Sequence, residues 1–207
     1  MKTTVNKNLI LAATEPKTVE YLISGGSHLT FILLADRPWF GKPKLKFTLA
    51  GADSRLDFYA LVSGKGEGRY DFSTEIIHEA ERTTSMQMIR SAMYEASSTD
   101  FEGNMVIKKN ARGADAYMSH KALLMSPRAR SNALPSMEIM ANDVKAGHSS
   151  STGKPDKEAM FYLQTRGLSG PAADNLLVDA FFMELADKVP EGKEKESVIE
   201  WLKKNPA

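Results

Sequence analysis

Four imidazoles and no thiol set the chemistry open to this chain. His28, His78, His120 and His148 are spread over 120 residues, and no local spacing among them declares a metal site. Taken singly, each reads as a packed or hydrogen-bonded histidine before it reads as a ligand. With no cysteine, the chain itself has no disulfide, thiolate nucleophile, zinc–thiolate centre or cysteine-held iron–sulfur cluster. The most suggestive imidazole is His148, in MEIMANDVKAGHSSSTG (137–153). There a strand-like alternation gives way to Ser, Thr and Gly. His148 is therefore either a strand-end surface histidine or a working ligand with Ser149, Ser150 and Ser151 within reach for supporting hydrogen bonds.

Other motifs fail on spacing. GHSSSTGKP (147–155) has five residues between its glycines where a phosphate loop has four, and Pro155 follows Lys154 where a Ser or Thr is needed. GKGEG (64–68) lies between strand-like runs and opens no helix, against a dinucleotide fingerprint. HEAER (78–82) lacks the second histidine of a helical zinc-protease motif, and no Gly-x-Ser-x-Gly elbow occurs. SPRARS (126–131) has two arginines without interleaved aromatics and reads as a turn.

The chain that must position these residues has 207 residues, 42% apolar and 26% charged, with a net charge of +1. This suits one domain, or a domain with a small appendage, able to bury a core unaided. The balanced charge argues against a general nucleic-acid binder. No apolar run reaches bilayer-spanning length and no secretory leader is evident, so the expectation is no membrane and a cytoplasmic location.

Residues 1–15 read as a lead-in ending near Pro16. From there to residue 153 the chain reads as short strands: HLTFILLA (28–35), KLKFTLAG (44–51), RLDFYALV (55–62), and runs sharing Phe101, Met105 and Ile107, then Met137, Ile139 and Ala141, on one face. Residues 73–98 resist: their Glu, Ala, Met and Arg favour helix, while RTTS (82–85) favours a break. GADSRLDFYALVSG (51–64) and GADAYMSHKALLMS (113–126) echo one another 62 residues apart. The spacing suggests three windings of a solenoid with about 20 residues each.

After residue 153 the period turns helical. Asp156 caps a first helix that Gly167 stops. A second begins at Gly170-Pro171, with Leu176, Leu177, Ala180, Phe181 and Leu185 as its stripe; Phe182 and Met183 lie off it as surplus apolar surface. A third, 193–204, carries Val198, Trp201 and Leu202.

The order of DAY, ALLMSPRAR, MEIMANDVK, His148, Gly153 and FYLQTRGL within 114–168 resembles the core of the SufB/SufD family of iron–sulfur cluster assembly proteins. HEAERTTS (78–85) and LISGGSHLTFI (22–32) extend the resemblance to about residues 18–188. It implies a mainly β protein: a right-handed parallel β-helix at 16–153 and a C-terminal α-helical segment at 154–207, with residues 73–98 as strand and turn. It also implies a non-enzymatic scaffold without a firmly bound cofactor, a transient iron–sulfur cluster forming at a dimer interface. The implied partners are a SufC-type ABC ATPase, and a SufB-type paralogue or a second copy of the chain. Phe161, Tyr162, Arg166, Phe181, Phe182 and Met183 are the implied partner interface, and His148 the candidate iron or cluster ligand; His78 and His120 also match family positions.

The chain departs from the family in two ways. Family members usually carry a helical N-terminal domain, whereas this chain begins almost directly with the β-helix. Many SufD-type members have Cys where this chain has Ala146, and without a thiol the chain alone is no thiolate scaffold. It looks SufD-like. Two alternatives remain: a β-solenoid carbohydrate-active enzyme using Asp57, Asp71 and Glu75, or a metal-binding adaptor using His and carboxylates.

Overall fold

Alternating side chains build two facing parallel sheets in the computed structural model, which describes residues 2–205. Met1, Pro206 and Ala207 lie outside the described residues. One sheet runs β1 (Lys2–Val5), β3 (Val19–Ile23), β5 (Lys44–Leu49), β7 (Phe72–His78), β9 (Ser98–Ile107) and β11 (Arg130–Ile139). The other runs β2 (Leu9–Ala13), β4 (His28–Ala35), β6 (Arg55–Gly64), β8 (Thr84–Met93), β10 (Ala114–Leu124) and β12 (Val144–Gly153). Every strand pairs in parallel with the strand one winding away. The fold is a β-solenoid followed by helices α1 (Lys157–Thr165), α2 (Gly170–Ala186) and α3 (Lys193–Lys204). β1 and β2 lie within the stretch expected as a lead-in, and each takes the end of a sheet.

The winding length corrects the sequence reading. Arg55, Thr84 and Asp115 stand in register, so a mid-solenoid winding takes about 30 residues; only the first, from Leu9 to Leu29, takes about 20. The two GAD segments are thus two windings apart, and their tripeptides are two positions out of step. Position 113 matches Asp53, not Gly51. Gly26, Asp53, Arg82 and Gly113 all have positive φ at one corner. Each donates its backbone N–H to the next winding, to the carbonyls of Ala52, Glu81, Arg112 and Asp143 respectively. A slip of two preserves the inward face, which is why the echo still read as a repeat.

The interior stacks in columns. Tyr21, Phe47, Ile76, Met105 and Met137 form one. Phe31, Phe58, Gln87, Met118 and His148 form another, facing it. At the N-terminal end the filling is aromatic: Phe31 stacks on Phe58 at 5.8 Å, and Phe47 meets both edge-on. Towards β12 it becomes thioether, amide and imidazole. Residues 73–98, helical by propensity, are β7 and β8 because alternate residues (Ile76, Ile89, Met93) fill this interior. The expected break falls at Arg82.

Helices α2 and α3 cover the outer face of the β2-to-β12 sheet. Val178, Phe182, Leu185, Val198, Trp201 and Leu202 pack on Ile32, Leu34, Tyr59, Leu61, Met88 and Ala92. Asp156 caps α1, accepting from the Glu158 N–H, and Ser169 caps α2, accepting from Ala172. The α2 stripe read from sequence is rotated. Ala173, Val178, Phe182, Leu185 and Ala186 are buried, whereas Leu176 is exposed. The helix is apolar around most of its circumference, so the sheet, not the pattern, selects the buried face.

Under α2 lies Arg90, wholly buried, its guanidinium 2.8 Å from Glu184 and 5.7 Å from the Phe181 ring centre. Arg90 Nη1 also donates to the Ile89 carbonyl, while Nε has no partner among the described residues. Lys121 reaches the same Glu184 carboxylate at 3.5 Å. Glu184→Ala leaves a buried cation uncompensated. Because Glu184 is itself half exposed, the expected loss is about 2 kcal/mol, below the full cost of a wholly buried pair. Arg90→Met/Glu184→Leu is expected to recover most of it; thermal melts of the three variants check this.

Candidate functional site

His148 is the fifth residue of the ten in β12, in mid-strand rather than at its end. Alternation turns His148 and Ser150 inward in register with Met118 and His120, while Ser149 and Ser151 face outward. Ser149 accepts a 3.0 Å hydrogen bond from the Tyr117 hydroxyl on that outer face. Of the three serines, only Ser150 shares the side of the strand that carries the imidazole.

Among the described residues no further winding lies over β11 and β12. Each pairs with one neighbour, leaving a ten-residue backbone edge open. The last interior layer is consequently half bare: Met137 and Val144 are partly buried, while Ile139, Ala146 and His148 are exposed. Pro135, lacking an N–H, is tolerated in β11 because that strand is an edge. Across this opening His148 Nδ1 lies 3.2 Å from Met137 Sδ. Sequence reasoning missed the contact. The two residues belong to different strands, and nothing in their spacing announces that they end facing columns.

The other imidazoles lie elsewhere. His78 is buried, its Nδ1 2.8 Å from the Thr83 hydroxyl and its Nε2 2.8 Å from that of Ser85. His120 stacks on Phe101 at 5.7 Å, and neither ring nitrogen has a partner among the described residues. Burial pushes both down to about 4, so both are neutral near pH 7; for His120 the Arg90 charge adds to the effect. His28 is on the outer face, 2.7 Å from Asp57.

The carboxylates of the carbohydrate-enzyme alternative are not a pair. Asp57 is held by His28 and Arg55, Asp71 by Arg69, and Glu75 by Lys44 and Lys46. Asp57 is on β6 and Glu75 on β7, in opposite sheets. Burial works to raise the carboxyls of Asp57 and Glu75, but their cationic neighbours outweigh it and hold both below the usual range. Neither is poised as a proton donor at neutral pH. Among the described residues no group of three or more His, Cys, Asp or Glu could hold a metal ion.

Of the expected interface residues, Phe161, Tyr162 and Arg166 are exposed on α1, which buries no side chain; the Arg166 guanidinium lies 5.1 Å from the Tyr162 ring centre. Phe181 and Met183 are partly buried against the second core. Phe182 is only 1% exposed and packs at 5.7 Å on Trp201, so it is core, not surface.

Residues 41–181 match the model of the SufBD core domain, described as SUF system FeS cluster assembly. This chain belongs to the SufBD family. Similar members include the iron–sulfur cluster assembly protein SufD of Bacillus subtilis, 33% identical over 155 residues, and that of Escherichia coli, 28% identical over 151 residues. In each case the match covers 73% of this chain and 36% of the relative. A SufBD family protein of Mycobacterium tuberculosis is 37% identical over 100 residues, 47% of this chain and 25% of its own. The chain spans about a third of the length of the SufD relatives it matches. Within the SufBD family it is SufD-like. The matched segment runs from β5 into α2 and includes the open end with His148. Among the described residues no helix is long and apolar enough to cross a membrane.

Proposed function

We propose that this chain is a non-catalytic scaffold component of Suf-type iron–sulfur cluster assembly. It pairs through the open end of its solenoid with a second copy or a SufB-type partner, and it docks a SufC-type ABC ATPase through its C-terminal helices. The uncapped β11–β12 end carries this reading. Two adjacent unpaired ten-residue edges beside a half-exposed apolar layer are a template for another chain's strands. With no thiol of its own, the chain depends on a partner for thiolate ligands, and His148 offers an imidazole nitrogen to iron at that interface. The docking surface for the ATPase is Phe161, Tyr162 and Arg166 on α1, extended by Leu176 on α2.

Co-expression with a SufC-type ATPase from the same genome is expected to yield a co-purifying complex. Phe161→Glu/Tyr162→Glu is expected to abolish it with the melting temperature unchanged, since both rings are exposed. Phe182→Glu, by contrast, is expected to unfold the helical segment. A folded wild-type chain that captures no ATPase would count against docking. Separately, a chain that stays monomeric both alone and with a SufB-type partner would count against pairing.

A further inference from the structure

His148 and Met137 end two facing interior columns, and their donor atoms lie 3.2 Å apart, Nδ1 to Sδ. Directly beneath them in register are Met118 and Met105, both buried. The open end of the solenoid therefore presents one imidazole and one thioether to solvent, over two further thioethers. Gly103, beside this layer, leaves room for the Met118 thioether: a Cβ there would lie 2.4 Å from Met118 Sδ.

We propose that His148 and Met137 together form a soft-metal site selective for Cu(I) over Fe(II). Thioether sulfur is a soft donor that favours monovalent copper, and imidazole serves as its partner without a negative charge. The neutral N and S donors suit a monovalent ion, whereas a hard divalent ion prefers oxygen ligands, and among the described residues no group of three or more His, Cys, Asp or Glu could hold one. The inference rests on reading His148 as a metal donor, and adds Met137 as the residue that sets which metal it prefers. In the assembled scaffold such a site would let copper compete with iron at the interface.

The test is anaerobic titration of the purified full chain with Cu(I), against a chromophoric Cu(I) chelator, and separately with Fe(II). One Cu(I) per chain is expected. His148→Ala and Met137→Leu should each weaken it by about tenfold or more, while Met140→Leu, at an exposed thioether three residues along the chain, should change it less than about twofold. Circular dichroism confirms that each variant is folded. Cu(I) affinity unchanged by Met137→Leu would reduce the contact to an N–H···S hydrogen bond and overturn the paired site. Fe(II) bound through His148 more tightly than Cu(I) would overturn the selectivity but leave His148 as a metal donor. Binding of both metals insensitive to His148→Ala would overturn that reading too.

Discussion

Acidification from pH 7 to pH 4.5 is expected to lower the melting temperature of this chain by about 10–20 °C, before most carboxylates titrate. The cause is two buried imidazoles. His78 and His120 ordinarily titrate near 6.5 but are pushed down to about 4 in the fold. Between those values the unfolded chain binds protons that the folded chain refuses. Stability is therefore fully present above pH 6.5 and drains away as pH falls towards 4. Each histidine contributes a loss of about 2–3 kcal/mol at the acid end.

Substitution separates the two. His120 has no hydrogen-bond partner for either nitrogen among the described residues, so His120→Phe is expected to be neutral or stabilising at pH 7. It should keep the stack on Phe101 and remove about one proton's worth of the acid slope. His78→Leu should also flatten the slope. At pH 7, however, it strands the Ser85 hydroxyl and takes one of two partners from Thr83, which still donates to the Ala80 carbonyl, at a cost of about 1–3 kcal/mol. Melts at half-unit pH steps decide the matter. A flat profile between pH 7 and 5, or a His120→Phe profile parallel to wild type, refutes the account. Below pH 4 the depressed carboxyls of Asp57, Glu75 and Glu184 are expected to add a second loss as they protonate.

Gly51→Ala is expected to cost about 3 kcal/mol or more and to fray the first windings. A Cβ at position 51 would lie 2.0 Å from the backbone nitrogen of Gly25 and 2.5 Å from its Cα. Neither atom can rotate away. The Gly51 N–H is already committed to the Ile23 carbonyl at 3.3 Å, and Gly26 donates to Ala52 at 2.9 Å, so the two windings are pinned where they touch. Gly113→Ala should cost less, about 1–2 kcal/mol, because its penalty is mainly the left-handed backbone at φ 69°, and the nearest atom to its Cβ, Arg82 Cγ at 3.3 Å, belongs to an exposed side chain that can shift. Gly153→Ala, with nothing within 4 Å of its Cβ, should fall within about 0.5 kcal/mol of wild type. Chemical denaturation of the three variants ranks them. Equal costs at positions 51 and 113 would mean that close approach between windings is not what position 51 supplies.

Those two glycines also mark the limit of repeat reading. Each opens a GAD tripeptide, and as letters they match. In the fold one is needed for close approach and the other for a backbone angle, at corners two residues out of step. The angle at 113 is the one that Asp53 and Arg82 adopt without being glycine. A matching tripeptide carries no information about which constraint each glycine meets.

The local rules settled the elements. An apolar run at 28–35 and alternation at 44–51 and 55–62 located β4, β5 and β6 to within two residues, and capping by Asp156 and the left-handed Gly167 bounded α1, because these depend on neighbours within a few residues. The order of motifs pointed to the SufBD family, and the empty cysteine count excluded a thiolate cluster site on this chain. What no window of the sequence contains is which residues of different elements meet. Whether residues 73–98 coil or extend was decided by the stacking of successive windings, whether Phe182 faces a partner or Trp201 by the packing of α2 and α3 on the sheet, and whether Met137 stands beside His148 by the two sheets facing one another across the last winding. Burial free energy is gained only when those windings close on one another, and at that point it outweighs the few tenths of a kcal/mol per residue that helix propensity supplies.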